Sequence, residues 1–409
     1  MKIAIIMILV CCGLLIGTIS AEMPTYGNWT EITSNANFSP RYDFGAATFN
    51  DRLWVIGGHI LEGYMWMCHS NSSCEKNDVW SSPDGYNWTR VTDNAGFSPR
   101  SGHGVAVFND RLWVIGGGTF GNMKNDVWSS PDGVAWTLET DNAGFSPRGD
   151  MSVVVFENRL WVIAGGEYPN MKNDVWSSPD GKSWTQVTAN AEFSPRFGKG
   201  VVAFGNKLWI IGGISDSGYT DPVTDYTYIS EGGSKDVWSS TNGKNWTLVT
   251  TDAPFKYQEF TPVTIFDNRI WIVGGGNWIT LTRSTKYVQP RAFSEIWSSP
   301  DGNNWTLETE DAGFSPRFLH GVTVFHNGIW VLGGTDNSGI SGDVWYMPLQ
   351  VPAQTPATTA LLSSNISSTV PVASRTSAQA GLDPLAICLG LFITFGICGY
   401  SLKWRPNKK

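Results

Sequence analysis

Five arginines recur at one spacing, and they are the first residues in this chain that suggest chemistry. Arg41, Arg100, Arg148, Arg196 and Arg317 each close an F-S-P-R stretch. A ring of guanidiniums suits an anion, but recurrence at one position favours a framework role, a planar fork bonding loop carbonyls of its own unit. Three residues further on the frame is fixed and the side chain is not: Phe44, His103, Met151, Lys199, Thr261 and His320. Such variation is what a binding site on a repeated scaffold needs, and drift at a tolerant site gives the same pattern. Arg100, Arg148, Arg196, Arg317, His103, Lys199 and His320 are therefore carried as candidate binding residues. Asp43, Asp150 and Glu259 fall one or two positions after the arginine position and are placed to form an acidic rim.

A second set is aromatic. Tyr64, Trp66, Tyr226, Tyr228 and Trp278 stand outside the repeated pattern, in segments that vary in length between units. Exposed rings there would stack on sugars or anchor a protein partner; the alternative is that they pack the loops onto the scaffold. No Gly-rich phosphate loop, nucleophile elbow or H-E-x-x-H is present, and the five histidines show no ligand spacing. The sequence implies no metal and no cofactor.

These residues are positioned by six copies of one unit, about 48 to 62 residues long. After F-S-P-R comes an apolar run ending in Phe (GVAVF at 104–108), a two-residue turn (Asn109-Asp110) and R-L-W-V-I-G-G (111–117). D-V-W-S-S (126–130), the turn P-D-G and a short W-T strand follow. The pattern predicts four short antiparallel strands per unit, joined by tight turns except between the second and third. Three framework tryptophans per unit absorb most of the 21 in the chain, an unusual number for its 409 residues. The glycine pairs 57–58, 116–117, 165–166, 212–213, 274–275 and 333–334 end the second strands. The stretch from the glycine pair to the next D-V-W motif is long in three units: Gly58 to Asp78, Gly213 to Asp236 and Gly275 to Glu295. These loops and the F-S-P-R segments should share one face.

Six four-stranded units predict an all-β, six-bladed β-propeller over residues 22–349. The last unit lacks its W-T strand, whereas Trp29-Thr30 precedes the first F-S-P-R. The N-terminal segment should therefore supply the outer strand of the last blade. Glycine pairs after an apolar second strand, tryptophans on the third and fourth strands and P-R-x-x-H-G (Pro99 to Gly104) resemble kelch repeats. The resemblance, to the kelch and galactose-oxidase-like propellers, covers about residues 25–349. It implies a binding platform more often than an enzyme. A galactose-oxidase-like copper site would need a cysteine-linked tyrosine and paired histidines, and the blades offer no cysteine outside the 68–74 loop. A sialidase-like site would need an arginine triad that no motif here selects. The S-S-P-D-G-x-x-W stretches are similar to the Asp-box turn of sialidase-type propellers but lack one residue between Asp and Gly.

The ends point to export and anchoring. Residues 1–21 read as a secretory signal peptide, with an uncleaved N-terminal anchor as the alternative. Residues 350–384 form a stalk rich in Ser, Thr, Ala and Pro, and 385–402 an uncharged stretch long enough for a transmembrane helix. The basic tail 403–409 sets a cytoplasmic end. The arrangement also resembles sortase-type and archaeosortase-type sorting signals. Between residues 22 and 384 the chain has 23 basic against 36 acidic residues, which argues against nucleic acid as a partner. In that region only Cys68 and Cys74 remain, six apart and expected to pair in an oxidising compartment. Seven N-glycosylation sequons, at Asn28, Asn37, Asn71, Asn87, Asn245, Asn304 and Asn365, suit a glycoprotein. The expectation is a non-catalytic cell-surface recognition or adhesion module, single-pass in the membrane, binding a glycan or a surface protein. A carbohydrate-active enzyme and a structural envelope component are the alternatives.

Overall fold

The computed structural model describes residues 25–60, 74–119, 121–166, 170–215, 219–220, 227–228, 234–256, 260–279, 289–336 and 338–350. Every statement below concerns these. The expected signal peptide, stalk, membrane span and tail lie outside them, as do Cys68 and much of each long loop.

Six antiparallel sheets follow one another along the chain. Blade 1 runs from the innermost strand Gly45–Phe49 through Arg52–His59 and Glu75–Ser82 to the outermost Thr89–Thr92. Blades 2 to 5 repeat this order, with innermost strands Gly104–Phe108, Ser152–Phe156, Gly200–Phe204 and Val263–Phe266. Blade 6 has Gly321–Phe325, Gly328–Thr335 and Ile340–Gln350, and its outer strand is Thr30–Thr33 from the N-terminal end. Thr25–Tyr26 pairs further along the same third strand, so the two ends of the described propeller share one sheet. Each innermost strand neighbours those of the adjacent blades, including the last with the first, around a central channel.

The turn between first and second strands has two residues in the left-handed region in every blade, such as Asn109 (φ 49°) and Asp110 (φ 53°). That geometry matches the twist of a two-residue hairpin, which explains the Asn and Asp found there. The second-strand tryptophan lies across the blade boundary. Its indole N–H donates to the carbonyl of the Phe that ends the first strand, at 2.8–2.9 Å in all six blades. Its ring lies under the P-D-G turn of the next blade: a Cβ on Gly85 would come within 2.1 Å of the Trp330 ring. Only glycine fits that turn, which also holds φ at 75°. Blade 6 has no such turn to cover Trp271 of blade 5, and Tyr26 takes its place, edge-on at 4.6 Å. The F-S-P-R phenylalanines are buried against the fourth-strand tryptophans, again edge-on, at 4.9–5.5 Å. The closing pair is Phe314 with Trp29. Burial of each ring stabilises by roughly 2–3 kcal/mol, so these rings are a main source of cohesion between blades.

Two expectations need correction. In blade 3 the position of the first glycine is held by Ala164, with φ at 54°, and Gly165 takes the second. The pair is therefore 164–165, and the G-G at 165–166 is offset by one. In blade 5 the stretch after the glycines is not all loop. The ladder resumes after a bulge and continues through Trp278↔Pro290 to Ile279↔Gln289, which places the Trp278 backbone on a strand.

Candidate functional site

The repeated arginines come first because they define the frame. Arg41, Arg100, Arg148, Arg196 and Arg317 are almost fully buried. In blade 2, Arg100 donates through Nη1 to the Gly116 carbonyl (2.8 Å) and Asp126 Oδ1 (2.8 Å), and through Nη2 to Asp126 Oδ2 (2.9 Å) and Ser98 Oγ (3.0 Å). Its Nε donates to the Ser98 carbonyl at 3.0 Å. Asp126 also accepts from the third-strand Trp128 indole at 2.8 Å. The same network recurs around the other four arginines with Asp78, Asp174, Asp236 and Asp343. Burial pushes Asp78, Asp126, Asp236 and Asp343 up, but the arginine hydrogen bonds and charge outweigh it and hold them below the usual carboxylate range. Blade 5 departs at both ends of the pair. Its sequence has Gln258 for the arginine and Glu295 for the aspartate, and Lys256 supplies the cation to Glu295 instead. Each arginine ties together the strands of its own blade, and its donors are used inside the frame.

The next residues form the mouth of the channel. The position two after the arginine is left-handed at Asp43, Gly102, Asp150, Gly198 and Leu319. Main-chain hydrogen bonds link these segments from blade to blade: Asp43 N to Leu319 O, Gly102 N to Asp43 O, Asp150 N to Gly102 O and Thr261 N to Gly198 O. This belt turns the following side chain, the variable one, towards the axis. A cavity of about 260 Å³ results, lined by Phe44, His103, Met151, Lys199, Thr261 and His320, with Asp43, Asp150 and Phe260 at its edge.

The polar groups there are poorly satisfied. His320 Nε2 lies 2.9 Å from the Val273 carbonyl. Among the described residues, Nδ1 of His320 and the Thr261 hydroxyl have no hydrogen-bond partner; His103 sits likewise against the Ile56 carbonyl but in poorer geometry, and all three residues are more than nine-tenths buried. Lys199 Nζ donates to the main-chain carbonyl of Asp150 at 3.2 Å. The carboxylates of Asp43 and Asp150 converge over Gly102: a Cβ there would stand 3.3 Å from Asp150 Oδ1 and 3.4 Å from Asp43 Oδ2. Burial dominates the ionisation of the whole mouth. It lowers His103 to about 3, with Arg100 adding to the effect, and His320 to about 3 with Arg317. It lowers Lys199 to about 7 against the pull of Asp150, and raises Asp150 to about 6 against that of Lys199. Asp43 is raised by burial and then by the charge of Asp150. Each group is pushed towards its neutral form.

His103, Lys199 and His320 thus stand together in one cavity, and Arg100, Arg148, Arg196 and Arg317 stand behind it in the frame. Tyr64, Trp66 and Tyr226 lie outside the described residues. The backbones of Tyr228, paired with Tyr219, and of Trp278 lie on strands. Cys74 is buried, and its expected partner Cys68 is outside the described residues. The bases of the long loops emerge at the same face as the mouth: His59 N bonds Tyr42 O beside Asp43, and Ile60 N bonds Cys74 O across the first loop. The sequence reading did not find the aspartate partner of each arginine. A signal for it was present, since arginine and aspartate occur together in five units and both change in blade 5.

Comparison with known proteins agrees with this architecture. A family profile described as the DUF6242 beta propeller domain matches residues 82–221. An F-box/kelch-repeat protein of Arabidopsis thaliana is 30% identical over 126 residues, 29% of this chain and 31% of that protein. Tip elongation aberrant protein 3 of Schizosaccharomyces pombe is 28% identical over 155 residues, 32% of this chain and 14% of that protein. The match thus covers about a third and about a seventh of the length of these relatives. Six four-stranded sheets closed into a ring, with these likenesses, make the chain a β-propeller similar to kelch-repeat proteins.

Proposed function

We propose that this protein is a recognition module that binds a glycan or a protein partner at the cell surface, through the face that carries the channel mouth and the long loops. One observation carries the reading: the repeated polar residues are spent on the frame, whereas the one variable ring position opens into a cavity with unsatisfied donors and acceptors. A rigid scaffold presenting variable side chains beside long loops is how binding platforms are built. The kelch likeness supports an interaction role. In this reading the uncharged 385–402 stretch anchors the chain, the stalk holds the propeller off the membrane, and a Cys68–Cys74 bridge closes the first loop. The test is a glycan array and an immobilised surface-protein panel probed with the full-length chain. Binding that changes several-fold on Trp66→Ala or Lys199→Met supports the reading; binding indifferent to both overturns it.

A second reading has its own observation. Two carboxyls converging over one glycine, one of them raised to about 6, is an arrangement that acid–base chemistry on a glycoside would use. Turnover of nitrophenyl glycosides that disappears in Asp150→Asn would establish it; no turnover across a glycoside panel would remove it.

A further inference from the structure

Carboxyl groups outnumber amines at the channel mouth. Among the described residues lining the cavity, the two carboxylates of Asp43 and Asp150 face one ammonium, Lys199. The nearby arginines cannot make up the difference, since Arg41, Arg100, Arg148, Arg196 and Arg317 are each paired with an aspartate of their own blade. No group of three or more possible metal ligands occurs among the described residues.

The unsatisfied hydrogen-bonding groups carry the same message. The Val273 carbonyl can only accept, so the Nε2 of His320 bonded to it must hold the ring proton. In the neutral imidazole Nδ1 is then a bare acceptor, buried and without a partner among the described residues. Asp150 and Asp43, the latter already accepting from Ser101 and the Gly102 amide, are acceptors as well, and Thr261 offers a hydroxyl that can turn either way. The missing partner is therefore rich in donors, and a positive charge on it would hold both carboxyls ionised against their burial. An ammonium, with three donors and no acceptor, and a guanidinium, with five, both meet this description. Gly102 leaves the space between the two carboxylates open.

We infer that the channel mouth binds one monovalent cationic group, a primary ammonium or a guanidinium, between Asp43 and Asp150. The group arrives either on a small amine or as a lysine or arginine side chain of a protein partner. The inference rests on the proposed docking face and names the chemistry recognised at its centre. Phe44 and Phe260 at the rim supply apolar surface for the carbon stem of such a group.

The test is thermal unfolding of the full-length chain at pH 6.5 with ethylammonium, N-methylguanidinium and, as a neutral polyol, methyl glucoside. A saturable rise in Tm with either cation, absent with the glucoside and lost in Asp43→Asn or Asp150→Asn, is the expected result. Lys199→Met leaves both carboxylates without their internal cation and should tighten cation binding several-fold. N-acetyl-lysine methylamide binding more tightly than ethylammonium assigns the site to a protein side chain; the opposite order assigns it to a small amine. A shift with the glucoside and none with the cations, or a cation shift that survives both acidic variants, overturns the inference. Should the acidic variants fail to fold, unchanged or weaker cation binding by Lys199→Met overturns it. Glycan or protein binding that persists with an empty mouth would leave the docking face standing and remove only the cation site.

Discussion

Arg148 and Asp174 show what a single pair does in this molecule. The guanidinium is 1% exposed and meets both carboxylate oxygens, so removing one partner strands a buried charge. Arg148→Ala should cost about 3–5 kcal/mol in denaturant unfolding, and the double apolar replacement Arg148→Met with Asp174→Leu markedly less. Equal losses in the two variants would contradict the frame role. The histidines make a prediction in pH. With a folded pKa of about 3, His103 and His320 stay neutral while the unfolded chain takes up a proton near 6.5. Stability should therefore fall as pH drops from about 6.5 towards 3, by up to about 1.4 kcal/mol per pH unit for each ring. Asp150, raised by burial, acts the other way between the ordinary carboxylate range and about 6, and Asp43, also raised by burial, acts in the same sense as Asp150. Arg100 and Asp126 act on His103, and Arg317 and Asp343 on His320. His103→Gln should flatten the acid limb in unfolding curves taken from pH 7 to 5, and an unchanged limb would show that the ring is not held neutral. At this scale the sequence was half legible. The arginine's recurrence marked it as structural, but its aspartate lies 26 to 40 positions away and only the joint change at Gln258 and Glu295 links them.

At the scale of elements, cohesion between blades passes through the tryptophan under each P-D-G turn. Gly85→Ala adds a methyl within 2.1 Å of the Trp330 ring at a φ of 75°, so strain and steric conflict combine. We expect a loss of about 2 kcal/mol or more by thermal unfolding, against little change for Val134→Ala on the exposed tip of the neighbouring turn. Removing residues 22–33 deletes the outer strand of blade 6, the Tyr26 cover on Trp271 and the Trp29 to Phe314 contact. The thermal transition should drop and lose cooperativity; an unchanged transition would mean that the ring does not depend on this closure. Strand order and closure were readable because period, turn residues and the displaced W-T strand all carry local signals. The Ala164 offset and the extension of the blade 5 hairpin were not, because an antiparallel ladder can resume after a bulge without a change in composition.

At the scale of the whole molecule, the propeller has two unlike faces. One carries P-D-G turns with exposed residues such as Tyr86 and Val134. The other carries the belt of left-handed residues, the cavity behind it and the bases of the long loops. Loop lengths and the variable ring position singled out the second face in the sequence; the chemistry of its cavity was not legible, since burial and convergence of Asp43, Asp150 and Lys199 depend on how six blades meet. The central claim is that recognition belongs to that face. The measurement that tests it most directly is binding of the full-length chain to the glycan array and surface-protein panel, compared across paired variants of the two faces. Asp43→Asn and Lys199→Met should alter binding at least several-fold, while Tyr86→Ala and Val134→Ala leave it as it was. Binding that responds to the Tyr86 and Val134 variants and ignores the channel mouth would contradict the account.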